Sequence, residues 1–357
     1  MLGISIYLNE ELSEQKELYI EKMSRLGFKS IFTSLHIPED DPSLYTDRLK
    51  ALGSFARKYD MELFADISPK SLEYLGYTWE NAEKLQDWGL SGLRVDYGVS
   101  EEVIANLSRK MKIALNASTL TKENISKLKE YGVQLEFVEA WHNFYPRPET
   151  GLDIVEFNRT NKWLKAEGIK VMAFIPGDGE KRGPLFKGLP TIEDHRDFST
   201  FAAYLDFLNN PFVDKILIGD PTISEWSKKQ FESFQGGIIE LRAISVTTDQ
   251  KILEQLTRVQ SNRQDAARDV IRSAESRLYG LIGDFPVKPE NTVERSAGSI
   301  TVDNCEYGRY QGEIQITKYH LPTDLKVNVI GRVIDEDLPL LDNISGGTKF
   351  KIHWVTD

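Results

Sequence analysis

Leu2-Gly3-Ile4-Ser5-Ile6-Tyr7-Leu8, then Glu14 to Leu26, then Gly27, then Ser30-Ile31-Phe32-Thr33-Ser34-Leu35: the first 35 residues spell one strand–helix–strand unit. The two apolar runs are rich in β-branched and aromatic residues, which suit a pleated strand, whereas Glu14–Leu26 spaces its apolar residues near the helical period. Gly27 falls where a helix ends in a left-handed residue, a backbone angle that glycine adopts without steric penalty. Ser13 precedes Glu14, an N-cap followed by an acid in the electropositive first turn.

The unit recurs through two-thirds of the chain. Strands are predicted at Leu2–Leu8, Ser30–Leu35, Glu62–Asp66, Gly92–Asp96, Lys112–Asn116, Leu135–Ala140, Lys170–Ile175 and Lys215–Gly219. Amphipathic segments lie between them, including Asp47–Tyr59, Thr121–Tyr131 and Ile154–Glu167. The pairs Trp88-Gly89, Tyr131-Gly132 and Glu167-Gly168 repeat the helix stop, and Ser100 and Thr121 repeat the cap. Strands alternating with helices form an α/β fold with a parallel sheet, and eight such units close into a (β/α)8 TIM barrel whose active site lies at the strand C-termini.

After Trp226–Phe234 the rhythm stops. Gly236-Gly237 lead into Ile238–Ile244, a strand outside the count of eight, so the barrel domain is assigned to residues 1–236 and a second domain to 237–357. That second part reads as a helical span at Gln264–Leu278, a loop at Asp284–Asn291, and β-like runs at Ser299–Val302, Gly312–Ile316, Leu325–Val333 and Phe350–Val355. Short strands between Gly- and Asp-rich turns point to a small β-barrel.

The 357 residues suffice for both domains, and 40% hydrophobic with 28% charged residues is the composition of a folded, water-soluble chain. No apolar run approaches the ~18 residues of a membrane span, and the start lacks a basic, cleavable leader, so a cytoplasmic location is expected. A single cysteine, Cys305, excludes an internal disulfide framework. The net charge of −11 argues against nucleic acid as a partner, because a phosphate backbone demands a basic face. An anionic ligand would instead need a local cationic pocket.

Residues at strand ends converge on one mouth: here Asp66, Asp96, Asn116, Glu139, Asp178 and Asp220. Carboxylates gathered there can divide the work of acid and base, as glycoside hydrolysis requires. The plainer reading is that such acids cap the next helix or bond loop backbone, most of all Asp220, which precedes Pro221. The sixth loop is the densest in functional types, with Glu139, His142, Asn143, Tyr145 and Arg147 close together. Rings that stack on a sugar face, amides for hydroxyls and an arginine fork for an anion suit a sugar substrate. The long seventh loop offers Arg182, Lys187, His195 and Arg196 among glycines, the place where barrels often hold phosphate. His36 is a further candidate at the mouth. No metal, P-loop or dinucleotide motif occurs, so neither metal nor cofactor is expected, and no strand end carries the lysine of a Schiff-base aldolase.

The stretches Gly3-Ile4-Ser5-Ile6-Tyr7, Phe32-Thr33-Ser34-Leu35-His36-Ile37-Pro38-Glu39, Phe64-Ala65-Asp66-Ile67-Ser68, Leu93-Arg94-Val95-Asp96-Tyr97-Gly98 and, above all, His142-Asn143-Phe144-Tyr145-Pro146-Arg147-Pro148 with Thr150-Gly151-Leu152 resemble the bacterial 6-phospho-N-acetylmuramidase family over essentially the whole chain. The resemblance implies a TIM barrel followed by a cyclophilin-like β-barrel domain. It also implies cytoplasmic hydrolysis of the β-1,4 bond of 6-phospho-N-acetylmuramyl-N-acetylglucosamine, a phosphorylated amino-sugar disaccharide recovered from peptidoglycan. That substrate carries a phosphate and a lactyl carboxylate, which need two cationic patches. Arg182, Lys187 and Arg196 are assigned to one, Arg147 or His142 to the other, with the reverse assignment open. Cleavage is assigned to Glu139 with Asp66 or Asp96, and sugar contacts to His36, Asn116, Asn143, Tyr145 and His195. Two other classes compete: a non-hydrolytic phosphosugar-processing barrel enzyme, and a catalytically silent sugar-phosphate-binding protein.

Overall fold

A computed structural model describes residues 1–35, 45–95, 98–278 and 286–356. Eight strands, β1 (Leu2–Ser5), β2 (Phe28–Ser34), β3 (Glu62–Ile67), β4 (Gly92–Val95), β5 (Lys112–Asn116), β6 (Val138–Trp141), β7 (Lys170–Ile175) and β8 (Lys215–Ile218), pair in sequence order. All run parallel, and Leu2 opposite Ile216 joins β1 to β8, so the sheet closes into a (β/α)8 barrel. The helices are α1 (Glu14–Arg25), α2 (Tyr45–Lys58), α3 (Pro69–Tyr74), α4 (Glu101–Ser108), α5 (Lys122–Glu130), α6 (Ile154–Ala166), α7 (Thr200–Asn209) and α8 (Glu225–Gln235).

The local signals act as anticipated. Ser13, Ser100 and Thr121 accept hydrogen bonds from the backbone N–H groups of Lys16, Val103 and Asn124. Gly27, Gly89, Gly132 and Gly168 all take positive φ, between 74° and 100°. A short helix end with a left-handed glycine turns the chain straight into the next strand.

Alternate strand residues point inward. Phe32, Phe64, Ala114, Trp141, Met172, Phe174 and Leu217 form the buried core of the barrel, with the Phe64 and Trp141 rings 4.8 Å apart. Burying each large side chain contributes roughly 1.5–3 kcal/mol. Gly92 is inward-facing too, and a Cβ there would run into the Phe64 ring.

One boundary departs from expectation with consequences for the site. Leu135–Phe137 is a 3-10 turn, and β6 begins only at Val138. Glu139 is therefore near the start of its strand, opposite Ala114 and Lys170, rather than at its end.

Two compact units emerge, Met1–Glu225 and a second from Trp226. The division falls about ten residues before the expected Gly236. Helix α8 follows β8 in the count, yet Gln230 donates to the Glu240 carbonyl at 3.0 Å and Ser233 to the Glu240 carboxylate at 2.9 Å.

The second unit is built on β9 (Ile238–Ser245), β10 (Gln260–Ser261), β11 (Val270–Arg272), β12 (Ser299–Asp303), β13 (Ile314–Thr317), β14 (Val327–Val333) and β15 (Lys349–Val355), with α9 (Gln250–Leu256) and α10 (Ala274–Leu278). Their order is β10-β15-β9-β14-β12-β13-β11, and only β9 and β15 are parallel. A bridge between Asn262 and Ser273 links the outer strands and nearly closes the sheet. The helix expected over Gln264–Leu278 is confined to its last five residues. Val270–Arg272 pairs instead with β13, because a ladder to Ile316 and burial of Ile271 outweigh local helical preference. Among the described residues no helix is long and apolar enough to cross a membrane.

Candidate active site at the barrel mouth

Inward phase along each strand decides what reaches the mouth. On β3 the inward series is Glu62, Phe64, Asp66, so Asp66 stands at the top, opposite Ser34 on β2 and Arg94 on β4. Arg94 Nη1 lies 3.0 Å from Asp66 Oδ1, and Ser34 Oγ lies 3.4 Å from Asp66 Oδ2. The other arm of the Arg94 guanidinium donates to the side-chain oxygen of Asn143, just past β6. The Asp66 and Arg94 side chains are only 16% and 6% exposed, so charge pairing takes place in a partly dry setting where it is strengthened. Asn116 ends β5 on the same side, its side-chain oxygen accepting from the Ser118 N–H at 3.0 Å.

At the same end of the barrel the Arg182 guanidinium lies over the Tyr7 ring at 4.5 Å and near the Phe144 ring at 5.7 Å. Tyr7 is buried and donates to the Gly219 carbonyl at 2.6 Å, and burial raises its phenol above the ordinary range. A cleft of about 490 Å3 opens here, lined by Tyr7, Lys16, Pro146, Lys181, Arg182 and Phe186 among others. An arginine stacked on aromatic rings keeps its donors aimed and suits a planar or tetrahedral oxyanion.

The loops that form the rim are tied down by charged residues buried beneath them. Asp220 accepts from the N–H groups of Gly177, Arg182 and Leu189 at 2.9, 3.1 and 3.0 Å. Burial pushes its carboxyl up, and those three N–H groups oppose the shift. Arg196 donates to the carbonyls of Tyr145, Arg147, Lys187 and Gly188 while pairing with Glu193. Glu193 in turn accepts from the N–H groups of Glu149 and Gly151. Arg196 and these N–H donors hold Glu193 down at about 2 against the resistance of partial burial. Asp178 accepts from both the backbone and hydroxyl of Ser224. Asp178 and Asp220 are thus the loop-bonding acids of the plainer reading.

The structure brings Asp66, Asn116, Asn143 and Arg182 to the mouth, while His36 and Asp96 lie outside the described residues. Four expectations need correction. Glu139 is at the opposite end of the barrel, where Lys215 Nζ stands 2.9 Å from its carboxylate and the Trp141 indole donates to it at 2.7 Å. His142 follows Trp141 and so faces outward: its Nε2 pairs with Asn161 at 2.6 Å, and burial lowers its imidazole to about 4. His195 is buried against Phe207 and pairs with Asp206 at 2.8 Å. Arg196 directs its guanidinium to loop carbonyls and Glu193. Tyr145 is half-buried, and the Arg147 and Lys187 side chains are exposed on the rim.

Sequence reading missed Arg94 and Tyr7 as site residues. The signal existed: Arg94 is a charge inside an apolar strand. Among the described residues no cluster of His, Cys, Asp or Glu could hold a metal ion.

Fold and site together define a (β/α)8-barrel protein whose C-terminal end carries a partly buried Asp–Arg–Asn cluster and an aromatic-walled cleft lined by Lys16, Lys181 and Arg182 with Glu10 and Glu180. Sequence profiles described as 6-phospho-N-acetylmuramidase, N-terminal, and 6-phospho-N-acetylmuramidase, C-terminal, match residues 2–233 and 239–353, and the chain belongs to that family. It is similar to a conserved protein of unknown function from Enterococcus faecalis, with 44% identity over 99% of this chain and 96% of the other, at a TM-score of 0.90. An uncharacterized B. cereus protein is 25% identical over 99% of both chains, at a TM-score of 0.71. No curated protein matches the chain.

Proposed function

We propose that the barrel mouth is a glycosidase site that hydrolyses the β-1,4 bond of 6-phospho-N-acetylmuramyl-N-acetylglucosamine, serving cytoplasmic recovery of cell-wall sugars. The observation that carries this reading is the Asp66 carboxylate, held by Arg94 and Ser34 at the C-terminal end of β3, the end of the barrel whose seventh loop carries Arg182. Water adds across the glycosidic bond: the leaving oxygen gains a proton, and C1 gains the hydroxyl. Asp66, ion-paired with Arg94, acts as the accepting group, orienting the N-acetyl group or the water that attacks C1. Asp96, two residues beyond Arg94 in sequence, is the second carboxylate and the proton donor. Arg182, with Lys181 in the same cleft, takes the 6-phosphate, and Arg147 on the rim takes the lactyl carboxylate. His142 and Arg196 drop out because their partners are already fixed.

The nearly closed sheet of the second unit supports a cyclophilin-like reading, with a structural role. Its Asn328–Arg332 stretch lies within β14, and Tyr307–Gly312 belongs largely to a 3-10 turn. Such a fold alone implies no prolyl isomerase activity.

The test is product analysis. Incubating the protein with the phosphorylated disaccharide should release N-acetylmuramic acid 6-phosphate and N-acetylglucosamine. An isomerised or unchanged disaccharide would overturn the hydrolase reading.

A further inference from the structure

The seventh loop carries a ring that the chemistry above does not use. Phe186 is 63% exposed, the most exposed large aromatic among the described residues. Its backbone lies in the left-handed region at φ 53°, where a bulky residue is strained. The same loop uses glycine at Gly188, also at positive φ. Glycine at 186 would relieve that strain.

The loop that carries the ring is held on both sides. Asp220 grips the N–H groups of Arg182 and Leu189 on either side, Arg196 grips the carbonyls of Lys187 and Gly188, and the Phe186 N–H donates to the Arg182 carbonyl at 3.2 Å. The ring tip rests on Gly183, where a Cβ would stand 3.1 Å from Cζ. Phe186 lines the same cleft as Tyr7, Lys181 and Arg182. An aromatic surface pinned at a cleft edge beside cationic groups is pre-organised for a ligand with one apolar face and a charged end.

We propose that Phe186 is the stacking platform for the leaving N-acetylglucosamine ring. This rests on the hydrolase reading and adds its second sugar subsite. The muramyl ring bears both anions and must set its C1 over the partly buried Asp66, so it takes the cations assigned to those anions, Arg182 with Lys181 and Arg147. The uncharged second sugar extends outward along the cleft edge, where Phe186 presents an uncharged ring. A β-1,4-linked gluco-configured pyranose keeps its substituents equatorial and presents a face of C–H bonds that an aromatic ring covers well.

The experiment compares wild type, Phe186→Ala, Phe186→Gly and Phe186→Trp on the phosphorylated disaccharide and on the methyl glycoside of N-acetylmuramic acid 6-phosphate, which lacks the second sugar. Phe186→Ala and Phe186→Gly should raise KM for the disaccharide about tenfold with kcat within about twofold, and Phe186→Trp should restore KM. On the methyl glycoside all four proteins should match. An unchanged KM for the disaccharide, or an equal loss on both substrates, would overturn the subsite. Phe186→Gly accommodates the native φ, so a fold defect confined to Phe186→Ala leaves the test standing. Calorimetric titration reads Kd for the same two ligands without turnover. A wild type that binds the disaccharide but does not cleave it would overturn the hydrolase reading while Phe186 is still judged by Kd. A wild type that binds neither ligand would overturn both.

Discussion

The two ends of the barrel carry ionised side chains on the same strands and use them differently. At the N-terminal end Lys215 bridges Glu62 at 3.0 Å and Glu139 at 2.9 Å, and Lys112 pairs with Glu62 from β5. The Lys215 ammonium also lies 4.5 Å over the Phe64 ring. Burial would lift the Glu62 carboxyl, but Lys215 and Lys112 outweigh it and hold it below the usual range. Two cations and two anions close on one another, with Lys215 and Glu139 only 5% and 8% exposed. At the C-terminal end Asp66 is paired as well, yet this is the end at which a cleft of about 490 Å3 opens beside Tyr7 and Arg182. Residue type does not separate Asp66 from Glu139. Position along the strand does: a buried carboxylate with all its partners in the protein has a structural role, and one beside an open cleft can meet a substrate.

The contrast is most sharply tested by exchanging the two acids for their amides. Asp66→Asn should lower kcat by about 10^3 to 10^4, with the fold intact by circular dichroism. Glu139→Gln should do the opposite, removing about 3–4 kcal/mol of stability in urea unfolding because it leaves Lys215 half-paired in the interior, while kcat of the folded fraction stays within about twofold. If Glu139→Gln abolished turnover at unchanged stability, the assignment of the two ends would be reversed. Strand β6 supplies a third check, since His142 follows Trp141 but faces outward. Its folded-state value of about 4 lies below the ordinary 6.5, so the folded protein resists its proton: stability is full above pH 6.5 and falls as pH drops from 6.5 towards 4, by at most roughly 3 kcal/mol. Unfolding midpoints across that window should slope, and His142→Gln should flatten them. A kcat profile that lost a pH 4 limb in His142→Gln would put the histidine back at the mouth. The smallest effect is expected from Glu193→Gln, which slackens the tie between the sixth and seventh loops and should raise KM about threefold to tenfold with little change in kcat. Because Glu193 is held at about 2, its contribution to stability is present above pH 4.5 and fades as pH falls through 4.5 towards 2.

The repeat of cap, helix, glycine and strand was enough to define the closed eight-stranded barrel, since each signal works within a few residues: a Ser or Thr oxygen reaching an N–H three positions on, or a left-handed angle at Gly27, Gly89, Gly132 and Gly168. The sequence also sufficed to place Asp66, Asn116 and Arg182 near the mouth. Tertiary structure alone settled the layer of each inward residue, because the two-residue alternation fixes a face but not a height. The three residues before β6 form a 3-10 turn, which lowers Glu139 to the barrel floor and leaves Asn143 at the rim. The same holds for every side chain claimed by a distant partner. Lys215 meets Glu139 across 76 positions, Arg196 reaches the Tyr145 carbonyl across 51, and Val270–Arg272 becomes a strand by pairing with β13. Local periodicity is encoded by neighbours along the chain, whereas the use of a charge depends on which groups close packing brings within about 3 Å of it.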